Sequence, residues 1–77
     1  MIIQLGSALK KAFNYTVEAG AEATTLTLVG TKSTDSFVVL FAEGSSIATV
    51  ADNVITLDNS SGTDDISVSF IVIKKQA

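Results

Sequence analysis

From Ala12 onward the chain keeps a period of two. Phe13, Tyr15 and Val17 share one side of AFNYTVE. In TTLTLVG, Leu26 and Leu28 oppose Thr25, Thr27 and Val29. In SFVVLFAE, Phe37, Val39 and Phe41 oppose Val38 and Leu40. Successive side chains of a strand point to opposite faces, so this alternation specifies half-buried β-structure. Turn-forming clusters (EAGAEA, GTKSTD, EGSS, ADN and DNSSGTD) separate these runs from each other and from SIATV, VITLD and ISVSFIVI. Short strands punctuated about every 8–12 residues predict an antiparallel sandwich or barrel. The expected fold is therefore all-β: a small antiparallel β-sandwich or barrel of about six to seven short strands.

Residues 1–11 do not share the period. Ile2, Leu5, Leu9 and Phe13 have the spacing of an amphipathic helical turn, whereas Ile3 and Leu5 suit a short strand, and Gly6 weakens both. Two readings follow for this N-terminal arm or first element. It packs on the same core as a strand or short helical turn, or it docks on a neighbouring subunit. Residues 12–77 form a single β domain.

Two strands break the rule that each sheet of a sandwich buries one face and wets the other. Phe37–Phe41 and Phe70-Ile71-Val72-Ile73 are apolar on both sides. A chain of 77 residues has no third layer to cover a second apolar face. Val38, Leu40, Ile71 and Ile73 are thus the expected contact face, with Ile2, Ile3 and Leu5 contributing from the arm. Exposed apolar patches mark binding surfaces. The cover for this one is either the chain's own N-terminal segment or another chain.

The residue inventory narrows the chemistry. The chain has no cysteine and no histidine, which excludes disulfides and thiolate metal sites and removes the usual general base. No Ser-x-x-Lys or Gly-x-Ser-x-Gly spacing occurs, and the carboxylates sit mostly at strand ends and loops, so no enzyme is expected. All positive side chains are the lysines at 10, 11, 32, 74 and 75, and the net charge is −3. Without arginine or a basic face, nucleic-acid binding is not expected. No apolar run approaches the roughly 20 residues of a membrane-spanning helix, so no membrane partner is expected. The order of the N-terminus, apolar and then basic, is the reverse of a secretory signal.

GTKS at Gly30–Ser33 lacks phosphate-loop spacing, because Thr31 separates Gly30 from Lys32. DNSSGTDD at 58–65 carries oxygen donors that suit calcium at Asp58, Ser60, Asp64 and Asp65. The EF-hand positions for Gly and Glu are instead occupied by Thr63 and Ser69, so an ordinary turn-rich loop is expected. No cofactor or metal site is assigned.

In style, the stretches TTLTLVG, DSFVVLFAEGSSIATV and NVITLDNSSGTDDISVSF resemble the small, Thr/Ser-rich, cysteine-free β proteins that bacteriophages carry on their virions. These include capsid decoration, minor capsid and fibre-base proteins. The resemblance implies a structural role in a virion, self-association as a homo-oligomer or contact with other virion proteins, and location in the particle. For a protein that is not viral, a cytoplasmic location is expected, because no secretory signal is read. The alternative, from another class, is a ligand-binding or adhesion module for a sugar or surface receptor. It is disfavoured by the absence of tryptophan and the single tyrosine.

Overall fold

A computed structural model describes residues 1–75. Seven strands and one short 3-10 turn follow in order: β1 (Ile2–Gly6), β2 (Lys10–Val17), β3 (Thr24–Gly30), β4 (Phe37–Glu43), the turn Ser45–Ile47, β5 (Ala48–Ala51), β6 (Val54–Leu57) and β7 (Ile66–Lys74). They form two sheets, ordered β1-β3-β6-β5 and β2-β7-β4. The all-β class and the strand count agree with the alternation in the sequence.

One pairing departs from the antiparallel expectation: β1 runs parallel to β3, with Ile2 opposite Thr27 and Ile3 opposite Leu28. The cause is the path of the chain. β2 lies in the other sheet, so the chain crosses over and returns before β3 begins, and two reversals restore the original direction. The N-terminal segment is consequently neither an arm nor a helical turn. Its ammonium group donates to the Thr25 carbonyl at 3.1 Å, and the Thr27 N–H donates to the Met1 carbonyl at 2.9 Å.

The two sheets share one core. Ile3, Leu5, Leu26, Leu28, Ile55 and Leu57 enter it from the first sheet, and Val17, Phe37, Val68, Phe70 and Val72 from the second. Phe70 lies at its centre, with the rings of Phe13 and Phe41 at centroid distances of 5.5 and 5.8 Å on neighbouring strands. Such offset and tilted pairs add about 0.5–1.5 kcal/mol beyond burial.

Local chemistry sets the turns. β5 and β6 are joined through Asp52 (φ 49°) and Asn53 (φ 62°) between the paired Ala51 and Val54. Two consecutive positive φ values make a type I′ turn, whose twist matches that of the flanking strands. Gly44 has φ 81°, and a Cβ there would lie 2.8 Å from the Ser67 carbonyl oxygen. Both the backbone angle and the space therefore require glycine at that turn.

Candidate functional site

The pleat of β7 brings the sequence-derived contact residues together. Its inward side chains are Val68, Phe70 and Val72, all buried. Its outward ones are Ser67, Ser69, Ile71 and Ile73. Ile73 pairs with Val38 of β4, and Ile71 pairs with Leu40. On the other flank, Ile73 faces Lys10 and Ile71 faces Ala12 of β2. Two cross-strand rows, Lys10–Ile73–Val38 and Ala12–Ile71–Leu40, thus lie side by side on the outer surface. Val38 is 37% exposed and Leu40 54%, while Ile71 and Ile73 are half-buried. Further along the same face the rows turn polar, with Ser69 opposite Asn14 and Ser67 opposite Thr16. The Ser67 hydroxyl donates to Asn14 Oδ1 at 3.2 Å.

The N-terminal residues are not part of this face, and they do not cover it. Ile3 and Leu5, expected as contact residues of an arm, are each only 6% exposed and belong to the chain's own core. Their position follows from β1 joining the opposite sheet, where alternate side chains turn inward. Ile2, at 65% exposure, stands on the outside of that sheet opposite Thr27. Of the two covers considered from sequence, the chain's own N-terminal segment is therefore excluded by the topology.

The polar groups close the ends of the sandwich. At one end Asn59, 2% exposed, sets its Nδ2 amide against the carbonyls of Val17, Glu18 and Asp64 at 3.2, 3.1 and 3.0 Å. Its own carbonyl accepts the Gly20 and Gly62 N–H groups. Asp58 Oδ1 accepts the Ser60 N–H at 3.0 Å. The Ser60 hydroxyl and N–H together hold the Asp58 carboxyl below its ordinary pKa. Asp65 Oδ1 accepts the Ala19 N–H at 2.9 Å. The Asp58 and Asp65 carboxylates and the Asp64 backbone carbonyl are thus engaged in the hydrogen bonding of a turn-rich loop. Among the described residues no three metal-ligating side chains gather.

At the other end Lys74 reaches from β7 across to the first sheet. Its Nζ donates to the Gly6 carbonyl and lies 3.6 Å from Asp35 Oδ2. The Lys32 N–H donates to the same carboxylate at 3.0 Å. That bond is the chief cause of a lowered Asp35 pKa, which the Lys74 charge and the Thr31 hydroxyl reinforce and partial burial opposes. Asn53 Nδ2 donates to the Asp35 carbonyl at 2.8 Å. Sequence reasoning marked neither Lys74 nor Asn59 as a fastening. Both roles depend on partners 42 and 68 residues away, beyond any local pattern.

A shallow concavity of about 240 Å³ lies beside β2, lined by Tyr15, Thr16, Val17, Glu18, Ala21 and Thr24. It offers one carboxylate and one phenol. No helix among the described residues is long and apolar enough to cross a membrane.

The chain matches no protein-family model, no curated protein and no solved structure.

Proposed function

We propose that this protein is a non-enzymatic structural subunit that assembles by burying the outer face of the β2-β7-β4 sheet. The observation that supports the reading is the adjacency of Val38, Leu40, Ile71 and Ile73 on a surface that the chain leaves uncovered. A domain this small has a marginal core, and association is one of the few remaining ways to add buried apolar area. The resemblance in sequence style points the proposal toward a small capsid-associated component of a phage virion.

The test is the solution mass of the chain and of Leu40→Asp across a wide concentration range. The parent chain is expected to associate. Leu40→Asp should remain monomeric with an unchanged β-type circular dichroism spectrum, because Leu40 projects outward and its loss leaves the core intact. A parent chain that stays monomeric at every concentration would overturn the reading. Weight would then pass to a ligand-binding module using the concavity between Tyr15 and Thr24.

A further inference from the structure

Among the described residues the two sheets have four edges, and three of them carry features that discourage pairing. β5 is only four residues long. β1 is five residues long, with an irregular register between Gln4 and Gly6. β2 opens with Lys10 and Lys11. Short length, bulges and edge lysines are the usual means of protecting a sheet edge. β4 lacks them over its length from Phe37 to Ala42, where no residue is charged, and its irregularity comes only between Phe41 and Glu43.

The hydrogen bonding of β7 tells which groups of β4 face outward. The Lys75 N–H donates to the Ser36 carbonyl, next to the paired Phe37 and Lys74. In an antiparallel ladder this makes Phe37–Lys74 a non-hydrogen-bonded pair, and the pattern alternates from there. Val38 and Leu40 therefore spend their backbone groups on β7. Phe37, Val39 and Phe41 turn theirs to the open edge.

We infer that β4 pairs antiparallel with β4 of a second copy about a two-fold axis at Val39, joining two three-stranded sheets into one. This rests on the reading above that the chain self-associates, and it adds an edge contact that enlarges the apolar face rather than burying it. The register at Val39 matches Phe37 with Phe41 of the second copy, Val39 with Val39, and Phe41 with Phe37. All of these are residues with outward backbone groups, and each pair exchanges two hydrogen bonds. Moving the axis by one residue in either direction leaves one of them without such a mate in the regular strand. On the outer face, Val38 then lies across from Leu40 of the second copy. The row Ala12–Ile71–Leu40 runs on into Val38–Ile73 of its neighbour, so the apolar patch becomes continuous. The regular pairing from Phe37 to Phe41 meets no charge, and beyond it Glu43 comes level with Asp35 of the second copy, whose carboxylate already lies beside Lys74.

Because the chain has no cysteine, cross-linking tests the register cleanly. A non-hydrogen-bonded antiparallel pair places Cα atoms about 4.5 Å apart, within disulfide reach. The diagonal distances from 38 to 38 and from 40 to 40 are roughly 7–8 Å, at or beyond the disulfide limit. An equimolar mixture of Val38→Cys and Leu40→Cys chains should therefore give about tenfold more oxidised dimer than either variant alone. Val39→Pro removes an N–H that the monomer does not use. It should keep β-type circular dichroism and lose association.

Equal cross-linking of the single variants and the mixture would overturn the edge pairing. So would an associating Val39→Pro chain whose Leu40→Asp counterpart is monomeric, and that result would leave face-mediated assembly standing. A parent chain monomeric throughout would overturn both.

Discussion

The two outer faces of the sandwich are built on the same pleat, and one carries a row of threonines where the other carries two rows rich in branched apolar residues. On the β1-β3-β6-β5 sheet, the row Thr25–Thr56–Thr49 crosses three strands, with Ile2, Thr27, Val54 and Ala51 beside it. Threonine suits such a face because its branched Cβ fits the strand while its hydroxyl stays wet. On the β2-β7-β4 sheet, the corresponding rows carry Ile71, Ile73, Val38 and Leu40. β-propensity is satisfied equally by Thr, Val and Ile, so strand formation does not account for the contrast. What differs is the polarity of the side chains that each of these rows turns outward. Within β7 itself the change falls between Ser69 and Ile71, which confines the apolar surface to the half of the sheet where β4 presents its bare edge.

The contrast between inward and outward positions can be broken first at Phe70. Phe70→Ala should cost about 3–5 kcal/mol in urea-induced unfolding, the usual range for emptying a buried aromatic site. A cost below about 1 kcal/mol would mean that the core does not centre on this ring. Next comes the loop that closes the sandwich. Asn59→Ala leaves the buried carbonyl of Val17 and the part-buried carbonyls of Glu18 and Asp64 without this donor, a loss of about 2 kcal/mol by the same measurement.

Ile71→Ala, one residue from Phe70 but on the opposite face, should cost the monomer only about 1 kcal/mol while weakening association. A loss as large as that of Phe70→Ala, measured where the chain is monomeric, would show Ile71 to be a core residue.

The smallest effect is electrostatic. The Asp35 pKa is depressed below its ordinary 3.8, so the unfolded chain binds this proton more readily than the folded one. The stabilisation is present above the ordinary value and is lost as pH falls through the lower folded value. Comparing urea midpoints of the parent and Asp35→Asn from neutral pH down through that range should show the gap between them narrowing. A gap independent of pH would remove the carboxylate's charge from the account.

Much of this architecture was legible in the alternation. The inward set Phe37, Val39, Phe41 and the outward set Val38, Leu40 are where a period of two puts them, and the turns fall at the predicted polar clusters. The four outward residues Val38, Leu40, Ile71 and Ile73 were also nameable, because an apolar residue at a position that the pleat turns outward is conspicuous in one dimension. That they sit in adjacent pairs was not, since pairing between β4 and β7 joins segments some thirty residues apart and no local signal reports register.

The N-terminal segment shows the same division. Its short apolar run fits a strand, a helical turn or an arm equally well when read alone. Only the crossover through β2 makes it a parallel edge strand with Ile3 and Leu5 inside. Lys74 likewise reads as a solvated end until Gly6 and Asp35 are folded beneath it. By itself the sequence determined which residues alternate, where the chain turns and which chemistries it lacks, because these depend on side-chain identity and near neighbours. Tertiary structure alone decided strand order, the parallel pair, the polar fastenings and the uncovered face. Each of these comes from contacts between distant segments, whose geometry is set by the packing of the whole core.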